Sequence, residues 1–506
     1  MTAIEEPSKY RNRVAEDEGF KDKTLFISGG TGFMGKVFIE KILRTVPVKR
    51  IYLLIRERKG KTPEERLKEM FNGALFDLLK KTVGEDVLKR VVAVPGDVTE
   101  EGLGLSQHNR EILSKEVDII FHMAATIRFD DPLKKAVLLN VRGTKFMLDL
   151  AKECKNLMVF SHVSTAYCHL KEKILYEKAY PPPADPHIII KLVEWMDEKL
   201  IDSITEHILD GCPNSYAFTK ALGESLVIDE MDNLPVIVLR PSVVIPVWKD
   251  PLPGWTDNIN GPVGLLIAAG KGILRSMYCD SQGYADFLPV DIAVNVLILT
   301  SIDFLIHKER RIYNCTSSFE YKVTWNEIIE MGRRIVETRL PLNGVVWYPG
   351  GSMKRSRLHH NFCVVFFHYI PAIILDAIIF LSGNKPILWK VQQRITKGFE
   401  VFEYYANNQW DFNNDGSLRA REMMTEREVE TYKVDGLGMD MDEYFYHCTH
   451  AARLYVLKES DDTIPAAKRH MKIMWLLDRV CKFLFILGFF YLLYQYVFSP
   501  ILSRVF

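Results

Sequence analysis

The sequence is short of the signals that mark nucleic-acid binding, secretion or a disulfide scaffold. Its 506 residues carry 65 basic and 65 acidic side chains, a formal net charge of zero. Phosphate backbones are held by a basic stripe, so this balance argues against a nucleic-acid partner. The cysteines are Cys154, Cys168, Cys212, Cys279, Cys315, Cys363, Cys448 and Cys481, and none forms a C-x-x-C pair. That scatter fits a reduced, cytosol-facing body. Met1 to Tyr10 is polar and has no apolar core, so no cleaved secretory signal is expected. Arg504-Val505-Phe506 is not the peroxisomal S-K-L address. There is no internal repeat and no low-complexity tract.

What is present is apolar and ordered. Nearly half of the residues (48%) are hydrophobic, and the chain is too long for one ordinary core. Short apolar strands are expected at Thr24–Ser28, Ile51–Ile55, Val91–Val94, Asp118–His122, Met158–Ser161 and Val236–Leu239. Helical patterns separate them as far as about Leu305. This alternation predicts a parallel sheet covered on both faces, the doubly wound α/β class. Thr324-x-x-Glu327 reads as a helix-starting capping box.

The first strand runs straight into Ser28-Gly29-Gly30-Thr31-Gly32-Phe33-Met34-Gly35, and a helix pattern follows to Leu43. Gly29 permits a tight turn, Gly32 a close approach of backbone to pyrophosphate, and Gly35 close packing of helix on sheet. The helix N-terminus then offers free N–H groups to phosphate. Thr31, Phe33 and Met34 complete the candidate loop. An NAD site ends its second strand in Asp or Glu; here that strand ends in Leu54-Ile55-Arg56. A guanidinium there suits the 2′-phosphate of NADP, with Arg58 and Lys59 adding positive field. Asp97, after the third strand, is placed to accept from the adenine amino group.

Tyr216-Ala217-Phe218-Thr219-Lys220 fits Y-x-x-x-K, which puts phenol and ammonium on one helix face. A phenol near pKa 10 is a poor acid or base at neutral pH, and a nearby lysine is expected to lower that value. Lys220 also suits the nicotinamide ribose, and Tyr216 the oxygen that turns negative as hydride arrives. Ser164 or Thr165, at the end of the fifth strand, supplies a hydroxyl for the same oxyanion. Pro241, Ser242 and Val243 close the next strand, where a stiff loop suits the nicotinamide.

These motifs resemble the extended short-chain dehydrogenase/reductase superfamily. More closely, the chain is similar to eukaryotic alcohol-forming fatty acyl-CoA reductases, relatives of the plant male-sterility proteins. The shared motifs are the glycine loop, Leu53–Arg56, Gly96-Asp97-Val98, His122-Met123-Ala124-Ala125, Asn140–Thr144, His162–Tyr167, the Tyr216/Lys220 pair and Arg240-Pro241-Ser242. The stretches more specific to this family are Pro253-Gly254-Trp255 through Asn260-Gly261-Pro262, and Gly270-Lys271-Gly272. The resemblance covers most of the chain. It implies two NADPH-dependent reductions of a long-chain acyl-CoA, through hemithioacetal and aldehyde, to a primary alcohol and free CoA. A membrane-bound hydroxysteroid-type dehydrogenase on the same Tyr-Lys site is the alternative. A non-enzymatic NADPH-binding scaffold would leave the Tyr-Lys pair without a purpose.

The expected layout is an N-terminal extension over 1–20 and an NADPH-binding reductase domain with substrate-binding insertions over 21–340. A linker over 341–361 and a helical male-sterility-type domain over 362–460 follow. Residues 461–506 form a basic flank and a transmembrane anchor. Asp411 to Glu422 matches the calcium-loop pattern D-x-N-x-D-G-x₅-E, but Arg419 is a cation at position nine and no second loop pairs with it. No metal is expected.

Phe483 to Leu502 is a 20-residue apolar and aromatic stretch weakened by Gln495 and Pro500, about 30 Å of helix and enough to cross a bilayer, with a buried apolar helix as the alternative. Lys468, Arg469, Lys472, Arg479 and Lys482 precede it and only Arg504 follows, which places the catalytic body in the cytosol. The expected host is the endoplasmic reticulum or the peroxisome, with membrane lipid as an expected partner. Phe362 to Leu381 is equally long but holds His368, Pro371 and Asp376. It reads as a membrane-dipping or core element beside the path of the acyl chain. Homo-oligomer formation stays open.

Overall fold

Strands buried on both faces read as unbroken apolar runs, because helices cover the sheet on each side. In the computed structural model, Leu-Phe-Ile, Tyr-Leu-Leu-Ile and Ile-Ile-Phe runs form the centre of one seven-stranded sheet. The strands are β1 (Thr24–Ser28), β2 (Arg50–Ile55), β3 (Val91–Pro95), β4 (Ile119–His122), β5 (Val159–Val163), β6 (Val236–Pro241) and β7 (Ile312–Cys315). All pairings in it are parallel, in the order β7-β6-β5-β4-β1-β2-β3. β1 and β4 to β6 are buried almost throughout, whereas the edge strand β3 alternates buried and exposed.

The six strands expected from sequence are all present. The seventh lies beyond Leu305, where the alternation was expected to stop. Ile-Tyr-Asn-Cys is short and half polar, and it is a strand because β6 offers it a free parallel edge. The strand order reverses between β1 and β4, and in such sheets a ligand crevice opens there, beyond the carboxyl ends of the strands.

The structure describes residues 12–16, 19–258, 262–309, 311–317 and 320–498. Asn260-Gly261, most of the N-terminal extension and Ser499–Phe506 lie outside them. The chain forms two compact units. The first is Met1–Thr256, Tyr284–Val323 and Tyr404–Asp440; the second is Asp257–Gly283, Thr324–Glu403 and Met441–Phe506.

In the first unit, α1 (Phe33–Thr45) and α2 (Ser215–Asp229) follow β1 and precede β6. α3 (Val290–His307) is long and apolar enough to cross a membrane, yet 83% of it is buried, so it is a core helix. Residues 404–440 build into this unit: Asp411–Phe412 pairs in parallel with Ile174–Leu175. Trp410 and Phe412 pack with Ala166, Tyr167 and Leu175.

The calcium-loop pattern is spent on other structure. Asp411 sits in that short strand and accepts from the Tyr284 hydroxyl and the Lys322 ammonium. Asp415–Glu422 is an α-helix, so the segment does not wrap around an ion.

The second unit is mainly helical. The capping box at Thr324 and Glu327 starts Trp325–Arg334 as its spacing predicts, with both reciprocal bonds formed. α4 (Arg357–Leu381) contains a π-turn at Val365–Tyr369, and α5 (Leu388–Asn407) follows it. α6 (Ile464–Leu493) runs unbroken from the basic flank into the apolar segment. Ala467, Met471 and Asp478 dock its first half. Asp478 receives the Trp347 indole N–H at 2.8 Å and pairs with Lys482 at 2.6 Å. From Cys481 to Leu492 every residue is exposed.

Candidate active site

The glycine loop connects β1 to α1 at the carboxyl end of the sheet. Gly29 has φ +78°, and a Cβ there would lie 2.5 Å from the Ala124 nitrogen after β4. A side chain at Gly35 would collide with the backbone of Gly29 and Gly30 at 2.5 Å. Gly35 was expected to pack helix against sheet. That work falls to Gly30, whose Cβ would meet the Leu53 side chain at 2.1 Å, while Gly35 packs the first turn against the loop. Gly32 is the N-cap of α1 and provides no side-chain cap. The first N–H groups of α1 are thus left for a ligand, and Thr31, Phe33 and Met34 are partly accessible beside them. This cradle fits a pyrophosphate.

At the end of β2, Arg56 is half exposed and lies 3.2 Å from the Asp97 carboxylate. Asp97 also accepts from the backbone N–H and hydroxyl of Thr99. Arg66 donates to the Arg56 carbonyl at 2.6 Å. Burial and then the neighbouring Arg58 and Arg56 hold its pKa below the usual guanidinium value. The result is a cluster of three guanidinium groups, of which Arg66 left no motif in the sequence.

Asn214 caps α2 by accepting the Ala217 N–H at 2.9 Å, which fixes where Tyr216 sits in the first turn. The Asn214 amide also donates to the Tyr405 hydroxyl at 2.9 Å. Phe129 lies between Tyr216 and Tyr405, with ring centroids 5.3 and 5.1 Å away. The phenol is therefore walled by aromatic rings, one of them 189 residues later in the chain (405 − 216).

Thr165 acts on the Tyr216 phenol and favours its ionised form, while its hydroxyl donates to the Pro241 carbonyl at 3.5 Å and accepts the Tyr167 N–H at 3.2 Å. Ser164 instead faces the Cys168 sulfur at 3.9 Å. Of the two expected hydroxyls, Thr165 is the one whose influence reaches the tyrosine. Burial pushes the Tyr216 pKa up to about 12, opposed by Thr165. The expected lowering by Lys220 does not occur. The Lys220 ammonium is turned to the Val163 carbonyl at 2.6 Å, and burial pulls its own pKa down to about 8. The phenol is thus kept protonated, as a proton donor requires.

Glu224 extends the face of Tyr216 and Lys220 by another four residues. Its carboxylate receives both Arg240 guanidinium arms at 2.7 and 3.0 Å and His169 at 2.9 Å, and Glu224 and Arg240 are completely buried. Burial opposes its charge, but Arg240 and His169 outweigh that and hold its pKa far below the carboxylate range. Arg240 also donates to the carbonyls of Tyr176 and Lys178. This ion cluster was not expected from sequence, although the spacing i+8 from Tyr216 contained the hint.

The end of β6 meets the same region. The Pro241 carbonyl accepts from the Ala166 N–H at 2.9 Å. Ser242 donates its hydroxyl to Asp286, which also accepts from Ser317. Val243 begins a short parallel pairing with Phe287–Pro289.

Comparison with known proteins agrees with this architecture. A male sterility protein model for NAD binding matches residues 27–297, and a second male sterility model matches residues 367–459. Fatty acyl-CoA reductase 1 of Rattus norvegicus is 38% identical over 461 residues, 90% of this chain and 89% of the relative. Fatty acyl-CoA reductase wat of Drosophila melanogaster is 36% identical over 457 residues, 90% of this chain and 88% of the relative. The crystal structure of the reductase domain of a Mycobacterium tuberculosis nonribosomal peptide synthetase shares the fold. It has a TM-score of 0.56 at 17% identity over 86% of this chain and 92% of its own. With a nicotinamide-binding Rossmann sheet at its front and the male sterility region behind, the chain belongs to the fatty acyl-CoA reductase family.

Proposed function

We propose that this chain reduces a long-chain acyl-CoA to the primary alcohol with NADPH and releases free CoA. The observation that carries the reading is Thr165, Tyr216 and Lys220 gathered at the carboxyl edge of the sheet in a chain of this family. Bound nicotinamide supplies hydride to a carbonyl carbon, and two such deliveries take a thioester through hemithioacetal and aldehyde to alcohol.

The protein's part is binding and proton supply. Gly29, Thr31, Gly32, Phe33, Met34 and Gly35 hold the pyrophosphate at the α1 terminus. Asp97 serves the adenine, and Pro241, Ser242 and Val243 line the nicotinamide side. Tyr216 gives its proton to the substrate oxygen, and Thr165 donates a hydrogen bond as negative charge develops there. Lys220 holds the ribose hydroxyls. Purified enzyme with NADPH and palmitoyl-CoA is expected to yield hexadecanol and free thiol. Accumulation of aldehyde alone, or no oxidation of NADPH, counts against the reading.

Preference for NADPH rests on Arg56, backed by Arg58 and Arg66. A charge-assisted bond is worth about 1.5–3 kcal/mol, so Arg56→Glu is expected to weaken NADPH about tenfold to a hundredfold and NADH far less. Equal loss for both cofactors in fluorescence titrations would remove Arg56 from the 2′-phosphate.

The second half of α6 serves as the membrane anchor, its exposed apolar surface in lipid and the catalytic body on the cytosolic side of the endoplasmic reticulum or peroxisome. A long-chain alcohol partitions into that same lipid.

A further inference from the structure

An ordinary surface helix turns its bulky apolar stripe to the protein and its polar residues to water. Helix α4 does the reverse. Its buried positions are Cys363, His368, Ala372 and Asp376, which are small or polar. Phe362, Phe366, Ile370, Ile373, Ile374 and Ile378 point outward, each at least 40% exposed. It is therefore not the core element that its composition allowed.

The polar stripe is fully used by the protein. His368 accepts the backbone N–H groups of Arg275 and Ser276 at 3.1 Å. Asp376 accepts those of Ile387, Leu388 and Trp389 at 3.0, 2.9 and 2.8 Å, capping α5. A contiguous apolar face of this size marks contact with another apolar phase.

The topology limits how deep that contact goes. The chain turns after Leu381 and comes back as α5. Tyr369 lies 5.2 Å from the Trp389 ring, and its hydroxyl is 3.0 Å from that of Thr396, so the two helices pack as a hairpin. Lys390, Arg394 and Lys397, at i, i+4 and i+7, form one exposed face of α5. Each costs roughly 2.5–3.5 kcal/mol at a bilayer centre, so α5 cannot cross. A hairpin whose second arm stays out keeps its first arm in the near leaflet.

Charge names the lipid. Residues 354–399 hold seven lysines and arginines and one acidic residue, Asp376, in a chain whose net charge is zero. Arg355 and Arg357 pair with Asp280 and Glu403. Lys385, Lys390, Arg394 and Lys397 have no acidic partner within salt-bridge distance among the described residues. Basic residues beside a buried apolar face are what an anionic leaflet attracts.

We propose that α4 and α5 form a monotopic hairpin in the leaflet that faces the protein body. The apolar face of α4 lies at the acyl–headgroup boundary, and the basic stripe of α5 meets anionic phosphate headgroups. It is a second attachment beside α6, and it rests on the membrane reading above. Arg275 joins the two within one unit: its backbone binds His368 of α4, and its guanidinium lies 3.8 Å from Asp478 of α6. Two attachments hold that unit in one orientation on the bilayer, where one would let it swivel.

The test uses the full chain in mixed phosphatidylcholine–phosphatidylserine vesicles. A benzophenone amino acid replaces Ile374, Phe485 or, as control, Leu200, which is exposed on the first unit. Lipid adducts are expected at positions 374 and 485 and not at 200. Lys390→Gln/Arg394→Gln/Lys397→Gln is expected to lower the adduct at 374 to its level on pure phosphatidylcholine. Asn384→Cys, at the hairpin tip, is expected to react with an impermeant maleimide from the side of the protein body. An adduct at 485 alone overturns the hairpin and leaves the anchor standing. Adducts at neither position sink both. A protein adduct at 374 replaces lipid with a protein partner, and labelling of Asn384→Cys only after permeabilisation means that α4 crosses.

Discussion

Lys220→Met is expected to cut turnover by about two to four orders of magnitude at neutral pH while the chain stays folded. Lys220 is buried and spends its ammonium on the Val163 carbonyl. Methionine keeps most of the apolar stem and removes a costly buried charge. The pH profile is the sharper observable. Burial draws the Lys220 pKa down to about 8, so the wild-type cation is present below that pH and lost as pH rises through it.

The ribose donor goes with the charge, and cofactor affinity and activity should fall above about pH 8. Instability does not account for this fall. A lysine with a depressed folded pKa binds fewer protons folded than unfolded between about 8 and its ordinary value, so stability rises with pH across that window. Titrating NADPH and turnover from acid to alkaline pH should show a limb near 8 in the wild type and none in Lys220→Met. A variant with near-native activity and the same limb would reduce the Tyr216–Lys220 pair to a helix face. Tyr216→Phe, which removes the proton but not the ribose donor, should lose turnover to a similar extent while keeping cofactor affinity.

Glu224→Ala is expected to destabilise the first unit by about 3–5 kcal/mol, because it leaves Arg240 buried without a counter-charge. Arg240 keeps only the two carbonyls of Tyr176 and Lys178. His169 is affected as well. Burial opposes its charge, yet Cys168 and Glu224 carry its pKa up to about 10, so it too is a cation that Glu224 balances. Glu224 is held below its ordinary pKa, so the stability it gives is present above about pH 4.5 and is lost as pH falls from there. Urea unfolding should show a lower midpoint for Glu224→Ala and for Glu224→Gln. Glu224→Leu/Arg240→Met should regain much of the loss, since an apolar pair of similar size removes the unpaired charge. Equal stability of the single variants and wild type would show that water reaches this cluster.

The sheet was legible where residue type alone decides conformation. Apolar runs of four or five residues pointed to six strands, and the glycine loop and the Thr324–Glu327 box marked helix starts. The seventh strand was not legible, because Ile-Tyr-Asn-Cys is a strand through the β6 edge beside it rather than through its own propensity. Nor was the use of Tyr405, which reaches Phe129 beside Tyr216 only after the chain has left the first unit and returned.

The sequence by itself determined the doubly wound class, the glycine loop at the head of α1 and the helix face that bears Tyr216 and Lys220. Each follows from local spacing, and local spacing is what a chain carries before it folds. The tertiary structure decided the rest. It let Thr165 rather than Ser164 act on the phenol, aimed Lys220 at Val163, raised Tyr216 instead of lowering it, and put the apolar side of α4 outward. Those outcomes depend on which groups are left without water and which partners reach them, and burial and partners are set between distant segments.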